Sequence, residues 1–297
     1  MEQFCSDCPR RCQAPRSEIQ SGGVCLSPLF PKISRAAPHF GEEPCISGTR
    51  GAGTVFFSGC NLRCVFCQNR EISRQSVGKM FSVPELRTLL LRLRDTGVHN
   101  IELVTPTHFT RILAEVLDGL DLGIPVVWNS SAYESVETLR LLDGLVQVYL
   151  PDLKYMRADT AKRYSAAEDY PETAAAAILE MFRQRGAYRF DADGLLQSGV
   201  LIRHLILPGH SEESMDAIDF AADSFPENSV LFSLMSQYTP MPGLEKYPEL
   251  CRTVTEEENA NLIHYMKTRH LLNGYWQELS SVGPECIPLF DGTGLDF

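Results

Sequence analysis

The stretch GTVFFSGCNLRCVFCQN, residues 53–69, joins an apolar run to three closely spaced cysteines. The run at residues 53–59 is typical of a buried strand, because it is short, apolar and bounded by glycine. Cys60, Cys64 and Cys67 follow directly, so the pattern places three thiols on the loop after that strand. A closed tetrahedral metal site needs four such ligands. Three thiolates leave one coordination position open, which is the usual arrangement where a substrate binds at the metal.

The rest of the chain alternates short apolar runs with amphipathic stretches. Further strands are predicted at residues 100–105, 124–129, 145–155, 199–209 and 229–237. Helices are predicted at residues 83–97, 109–121, 134–143, 158–168, 171–186, 211–225 and 255–269. Strands rich in Val, Leu and Ile that alternate with helices are typical of a parallel sheet covered on its outside. These units predict an α/β fold, an open partial (β/α)6 TIM-like barrel with its chemistry at the carboxyl ends of the strands.

Length and charge narrow the class of protein. The 297 residues suit one barrel with additions, and we expect a Cys-rich segment at 1–50, the barrel at 51–272 and a C-terminal extension at 273–297. Acidic residues outnumber basic ones by 38 to 27, so no overall positive field favours nucleic acid or an anionic membrane as a partner. No apolar run reaches the length of a membrane span or resembles a signal peptide, so we expect a cytoplasmic protein.

The chain has ten cysteines, and in a reducing compartment metal binding or catalysis explains them better than disulfides do. Cys45, Cys251 and Cys286 are isolated in the sequence, and we expect them to be small buried packing residues.

A second group of cysteines precedes the motif. Cys5, Cys8, Cys12 and Cys25 have the spacing C-x2-C-x3-C-x12-C, and four thiolates are enough for a closed site. Prolines and glycines throughout this loop-rich, Cys-rich extension predict irregular structure that a metal would order. Zinc and an auxiliary [4Fe-4S] cluster both fit the ligand count, and free cysteines without metal are the alternative.

The spacing Cys60-x3-Cys64-x2-Cys67, with the aromatic Phe66 before the last cysteine, resembles the signature of the radical S-adenosylmethionine superfamily. Within it, the stretch is most similar to relatives of pyruvate formate-lyase activating enzyme, and the resemblance extends over residues 51–240. It implies a [4Fe-4S] cluster held by the three thiols, with S-adenosylmethionine on the fourth iron. An electron from the reduced cluster would cleave the cosubstrate to a 5'-deoxyadenosyl radical that abstracts hydrogen. Zinc with a borrowed fourth ligand, or inert thiols, is the alternative.

The resemblance also assigns cosubstrate-binding residues. Thr105, Thr107 and His108 stand where the activating enzymes have Gly-Gly-Glu, which holds the methionine amino group. Hydroxyls and backbone carbonyls can replace part of that site, but the usual Glu contact is absent. Asp152 and Lys154 match an Asp-Leu-Lys sequence, in which Lys154 would pair with the methionine carboxylate.

Two more positions follow from the resemblance. Arg203 matches an Arg-x4-Pro-Gly pattern and would lie near the cosubstrate. Asn129 and Ser130 stand where relatives have an Asp and a Thr at a monovalent cation, so the carboxylate of that site is missing. On the residues alone, a surface ion pair of Asp152 with Lys154 is an equal alternative.

Three functions remain open on the sequence. The first is a radical oxidoreductase that resembles pyruvate formate-lyase activating enzyme and acts on a glycine residue of another protein. The second is a radical enzyme with a small-molecule or peptide substrate. Both imply a low-potential electron donor such as flavodoxin or ferredoxin and an oxygen-sensitive, anaerobic chemistry. The third, an iron-sulfur electron carrier, is disfavoured because carriers normally supply four ligands to each cluster. The Cys-rich segment precedes the motif, as in a less characterised branch of the activase homologues, so protein-glycine activation is not implied by the resemblance alone.

Overall fold

The computed structural model describes residues 3–18, 22–75, 77–277 and 288–296. Its strands are β1 (Gln3–Phe4), β2 (Pro15–Arg16), β3 (Lys32–His39), β4 (Ala52–Phe57), β5 (Lys79–Met80), β6 (Ile101–Val104), β7 (Val126–Ser130), β8 (Val148–Pro151), β9 (Arg189–Phe190), β10 (Leu196–Leu205), β11 (Leu231–Met235) and β12 (Gly274–Trp276). Its α-helices are α1 (Pro44–Ser47), α2 (Arg70–Gln75), α3 (Val83–Asp95), α4 (Thr110–Leu117), α5 (Val136–Leu139), α6 (Ala158–Ser165), α7 (Tyr170–Arg185), α8 (Ser211–Asp223) and α9 (Glu256–Thr268). None of the helices within these ranges is long and apolar enough to cross a membrane.

One large sheet organises the molecule, in the order β12-β11-β10-β8-β7-β6-β4-β3-β5, with β9 paired to β10. The six strands predicted from the sequence, β4, β6, β7, β8, β10 and β11, are parallel neighbours. The sheet stays open, because β12 adds in parallel at one end while β3 and β5 add antiparallel at the other. The predicted α/β partial barrel is therefore confirmed.

The central strands are buried on both faces, as in parallel sheets covered by helices. Every residue of β4, β6, β7 and β8 is buried. The covering helix α3 shows how the sequence produces this layer: Leu86, Leu89, Leu90 and Leu93 recur at helical spacing and are buried against the sheet. The helix begins at a capping box, in which the Glu85 side chain accepts from the Ser82 backbone N–H at 2.8 Å.

The short helix α1 packs against the inner face of the sheet. Its residues Cys45 and Ile46 are buried in an apolar cluster with side chains of five strands. Those strand residues are Ala52, Val127, Val148, Leu150, Leu196, Leu201 and Leu231. Four residues are too few to show a helical period, so the sequence did not predict α1. Cys45 is a buried packing residue, as expected.

Both ends of the chain contribute to the sheet. β3 lies within residues 1–50 and β12 within 273–297, so the barrel sheet extends past the expected limits of 51 and 272. The described C-terminal residues also return to the sheet, since Ala36 N donates to the Thr293 carbonyl at 3.0 Å.

Three expectations need correction or fall outside the described structure. β8 ends at Pro151, not at residue 155, because only Asp152 continues the pairing, as an isolated bridge to Arg203. Cys251 is exposed rather than buried, and its thiol donates to the Leu244 carbonyl at 3.3 Å. Cys286 lies outside the described residues.

Replacing Ile46 by alanine tests the role of α1. Ile46 is fully buried, so Ile46→Ala should lower the free energy of unfolding by about 2–5 kcal/mol, through lost burial and the cavity left behind. Leu272→Ala is the matched control, because Leu272 is 56% exposed and should change stability by less than about 0.5 kcal/mol. Urea unfolding of both variants measures the difference. Equal stabilities would show that α1 does not support the sheet.

Candidate active site

The loop that carries the three cysteines begins at a turn which only glycine can make. Gly59 has φ +88°, and a Cβ built on it would collide with the Cys25 carbonyl oxygen and the Ser27 hydroxyl. Its backbone N–H donates to the Ile72 carbonyl at 2.9 Å, which ties the turn to α2. The turn places Cys60 at the carboxyl end of β4, where the sequence predicted it.

The three thiols of this loop lie close enough for their charges to interact. Cys64 is buried, and Cys60 and Cys67 are half-buried. Burial, together with the neighbouring Cys67 and Cys64, raises the pKa of the Cys60 thiol to about 12. Burial and then Cys64 raise the pKa of Cys67 in the same way. Three thiolates would repel one another here, so the loop favours binding of a positively charged metal group.

Each thiol also has a hydrogen-bond donor. The backbone N–H groups of Leu62 and Arg63 reach Cys60 Sγ at 3.4 and 3.5 Å. The Ser73 hydroxyl donates to Cys67 Sγ at 3.6 Å. The Tyr155 hydroxyl is 2.7 Å from Ser165 Oγ and also within hydrogen-bonding reach of the Cys64 sulfur. Donors of this kind stabilise thiolate ligands and tune the potential of a cluster.

The donor set fits the cluster that the motif implies. Among the described residues, no three His, Cys, Asp or Glu side chains stand close enough to hold one metal ion. In a cluster each thiolate binds its own iron, so three sulfurs need not converge on a single point. Three thiols on one loop, each with its own hydrogen-bond donor, can therefore bind three different irons of one cluster.

Phe66 lies in an aromatic cluster behind the loop. Its ring packs edge-on against Tyr155, Tyr164 and Tyr238, each at a centroid distance of 6.2 Å. Phe66 is 7% exposed, so it anchors the loop from inside the protein. Its contact with a cosubstrate stays a prediction.

The loop after β6 is strained at the position where the resemblance implies a glycine. Thr105 has φ +59°, a conformation that is a genuine outlier for a β-branched residue. Its N–H donates to the Asn129 carbonyl at 2.9 Å. Such strain persists where the surrounding structure imposes it and is concentrated at ligand sites. Thr107 is buried, and its hydroxyl donates to Glu134 Oε1 at 3.0 Å, so that side chain already has a protein partner.

His108 is completely buried beneath the Gly59 turn. Its Nε2 is 2.9 Å from the Ser58 carbonyl oxygen, so the proton is assigned to Nε2, and the buried Nδ1 has no partner within the described structure. Burial lowers the pKa of His108 to about 3. The geometry therefore makes His108 a neutral side chain that holds the end of β4. Its contact with a cosubstrate stays a prediction.

The structure brings four other predicted residues together at the inner face of the sheet. Arg203 donates to Asp152 Oδ1 at 2.7 Å and to Asn129 Oδ1 at 2.8 Å. Lys154 Nζ donates to Asp152 Oδ2 at 2.9 Å. Although burial opposes the shift, Arg203 and Lys154 lower the pKa of Asp152. Burial opposes the shift at Lys154 as well, but Asp152 and then Cys64 raise the pKa of Lys154, so its ammonium interacts with that carboxylate and with the cysteine loop.

Three further carboxylates in this network, the buried Glu102 and the half-buried Glu42 and Glu43, were not predicted. Glu42 Oε2 accepts from Arg203 at 2.6 Å, and Glu43 Oε2 is buried without a hydrogen-bond partner within the described structure. Glu102 accepts from Asn129 Nδ2 at 2.7 Å, and burial followed by Glu42 raises its pKa well above the usual range. A single Glu in the apolar run at 100–105 was a signal for Glu102, whereas nothing in the sequence distinguished Glu42 and Glu43 from surface residues.

A comparison with known proteins shows which family this chain matches. A family model described as the radical SAM superfamily matches residues 54–221. An uncharacterized protein of Methanocaldococcus jannaschii is 31% identical over 264 residues, which cover 86% of this chain and 71% of that protein. The 7-carboxy-7-deazaguanine synthase of Methanothermobacter thermautotrophicus is 34% identical over 67 residues, or 20% of this chain and 27% of that enzyme.

A solved structure has a similar fold. Streptococcus suis SuiB, crystallised with S-adenosylmethionine, matches with a TM-score of 0.51 and 14% identity over 74% of this chain. The match covers 48% of SuiB, so the chain spans just under half the length of that protein. At this identity the likeness concerns the fold alone.

The buried His108 predicts a specific pH dependence of stability. The folded state keeps it neutral, with a pKa of about 3, whereas the unfolded chain takes up a proton near its ordinary pKa of 6.5. Between these values the unfolded state binds more protons, so stability falls as the pH is lowered. Between pH 7 and pH 5, protonation of this group in the unfolded state should lower the free energy of unfolding by about 2 kcal/mol. The variant His108→Gln should lack this part of the pH dependence. Urea unfolding of the reduced, metal-free protein measures it. An unchanged slope in His108→Gln would contradict the assignment, and the exposed His264→Gln is the matched control.

The contact of Tyr155 with Cys64 predicts a shift in reduction potential. Tyr155→Phe removes a donor that stabilises the more negative, reduced form of a cluster bound by Cys64. A bond worth about 1 kcal/mol corresponds to a potential lower by about 40 mV for one electron. Redox titration followed by electron paramagnetic resonance measures the shift. Tyr247→Phe, a tyrosine outside the loop contacts described above, is the control, and equal potentials for all three proteins would exclude the effect.

Proposed function

Because the chain belongs to the radical SAM superfamily, we propose that it cleaves S-adenosylmethionine reductively and uses the resulting radical to abstract hydrogen from a substrate. The observation that carries the proposal is the set of Cys60, Cys64 and Cys67, which lie together on the loop after the first parallel strand. A [4Fe-4S] cluster bound there would supply one electron that splits the sulfonium C–S bond into methionine and a 5'-deoxyadenosyl radical. That radical takes a hydrogen atom from the substrate and becomes 5'-deoxyadenosine.

Lys154 is the residue that we assign to the methionine carboxylate. Its ion pair with Asp152 and its electrostatic interaction with Cys64 and Cys67 support the assignment, because a cation here complements an anionic group beside the loop. Asp152 holds the ammonium at 2.9 Å and thereby fixes its direction. A lysine ammonium is a compact charge with little directional preference of its own. Asp152 therefore decides where the ammonium can meet the methionine carboxylate.

Arg203 and Asn129 act as positioning residues in this proposal. The donors of Arg203 are engaged by Asp152, Glu42 and Asn129, so the guanidinium orients Asp152 for Lys154. The Asn129 side chain is likewise bonded to Arg203 and Glu102. We therefore assign no cation to this asparagine, in line with the missing carboxylate.

Backbone groups near Thr105 are our assignment for the methionine amino group. The loop after β6 follows the strand beside β4, so it lies at the same edge of the sheet as the cysteine loop. The strained φ of Thr105 supports a ligand role, because strain of this kind accumulates where a backbone must present its polar groups.

A protein glycine is the first hydrogen donor that we propose to test, because the motif at residues 53–69 resembles that of the glycyl-radical activating enzymes. A small-molecule substrate is the second candidate, supported by the 67-residue similarity to the 7-carboxy-7-deazaguanine synthase. Both uses share the same first step. A low-potential flavodoxin or ferredoxin would supply its electron in the cell.

The first step has a direct test. The protein is reconstituted with iron and sulfide without oxygen, reduced with dithionite and mixed with S-adenosylmethionine, and 5'-deoxyadenosine is measured by chromatography. Wild type and Cys251→Ala should form the product, whereas Cys64→Ala should fall to the background, because it lacks one of three thiol ligands. An intact, reduced cluster that yields no 5'-deoxyadenosine would reject the proposal and leave the electron-carrier function.

A further inference from the structure

We propose that Cys5, Cys8, Cys12 and Cys25 hold a second metal centre, separate from the three thiols of the motif and bound by four thiolates. Among the described residues before β3, the regular pairing is limited to the two-residue ladder of β1 with β2 and one isolated bridge. A segment with so little strand pairing and no helix among its described residues needs another source of order, and a bound metal supplies it. The centre is structural in this proposal, and it does not depend on the proposed function.

The fold brings Cys12 and Cys25 to the same glycine and places Cys5 and Cys8 near enough to Cys25 for their charges to interact. Cys5, Cys8 and Cys25 are all buried, although they come from an irregular segment rich in polar residues. Cys8 interacts electrostatically with both Cys25 and Cys5. A Cβ built on Gly23 would lie 2.8 Å from Cys12 Sγ and 3.9 Å from Cys25 Sγ, so these two sulfurs flank that glycine. Gly23 has φ +72°, a second reason for glycine at this position.

The four sulfurs lie near one another but farther apart than the ligands of a bound ion. Among the described residues, no three His, Cys, Asp or Glu side chains are grouped tightly enough to hold one. Metal binding must therefore move the sulfurs closer and displace their protons.

A buried arginine supplies the independent argument for a negatively charged centre. Arg16 is 4% exposed, and its Nη2 donates to Cys25 Sγ at 2.8 Å. Within the described residues no carboxylate forms an ion pair with it. A buried cation without a countercharge is costly. Four thiolates around zinc or a [4Fe-4S] cluster carry a net negative charge, so a metal centre here would balance Arg16.

The same segment braces the loops at the mouth of the barrel. Arg10 Nε donates to the Asn61 carbonyl at 2.8 Å, and Arg63 Nη1 of the cysteine loop donates to the Val24 carbonyl at 3.2 Å. Arg16 Nη1 donates to the His108 carbonyl at 2.8 Å. The segment thus contacts the loops after β4 and β6. A metal centre that orders the segment would hold both loops in place.

The experiment separates the two centres by removing the first. In the full-length triple variant Cys60→Ala, Cys64→Ala, Cys67→Ala, the motif no longer has thiol ligands. After anaerobic reconstitution with iron, sulfide and zinc, this variant should retain either about one zinc or about four irons with sulfide per chain. Adding Cys8→Ala should abolish that metal, whereas adding Cys251→Ala should preserve it. Either bound zinc or bound iron with sulfide would support the site, and the metal that is found identifies its occupant.

A second measurement needs no change in the N-terminal segment, so a folding defect of Cys8→Ala cannot obscure the result. Co2+ is added to the metal-free triple variant, whose fold is checked by circular dichroism. Thiolate ligation should give a sulfur-to-cobalt charge-transfer band that zinc removes by competition. A folded triple variant that holds no stoichiometric metal and shows no such band would overturn the proposal. Metal retained despite Cys8→Ala would overturn it as well.

Discussion

The turn at Gly59 is the constraint on which the rest of the site depends. β4 ends two residues earlier, and the chain must pass through the narrow space left by Ser27, Cys25 and His108. Only a residue without a side chain fits there with φ +88°. The same turn therefore determines where the cysteine loop leaves the sheet and where the N-terminal segment and the loop after β6 meet it.

Charge balance inside the sheet is the second organising feature. Asp152, Glu42, Glu43 and Glu102 face the two cations Arg203 and Lys154 in a region where unpaired charges are expensive. The carboxylates divide by environment: Asp152, with both cations, has a lowered pKa, whereas burial raises the pKa of Glu102 and Glu43. This network fixes the side chains beside the thiols from within the barrel. It couples α1, which carries Glu43 at its start, to the ends of the parallel strands.

The elements that were predictable are those whose hydrophobic pattern is local. Six strands and the helices between them were recognised because each is an apolar run or a helical stripe of sufficient length. β3 was missed although it is the neighbour of β4, since the run KISRAAPH at Lys32–His39 mixes charged and small residues. α1 and β12 were missed because four and three residues carry no period. Their places depend on the surfaces they cover, and those surfaces exist only in the folded chain.

The sequence by itself determined the family, the partial barrel and the position of three thiols after the first strand, because spacing and periodicity are properties of neighbouring residues. The family resemblance also assigned Asn129, Asp152 and Arg203 to the surroundings of the cosubstrate. Only the tertiary structure decided that Arg203 is shared between Asp152, Glu42 and Asn129, that His108 is buried under the turn, and that Arg16 meets Cys25. These contacts join residues far apart in the chain, and their strength depends on how deeply the folded protein removes them from water.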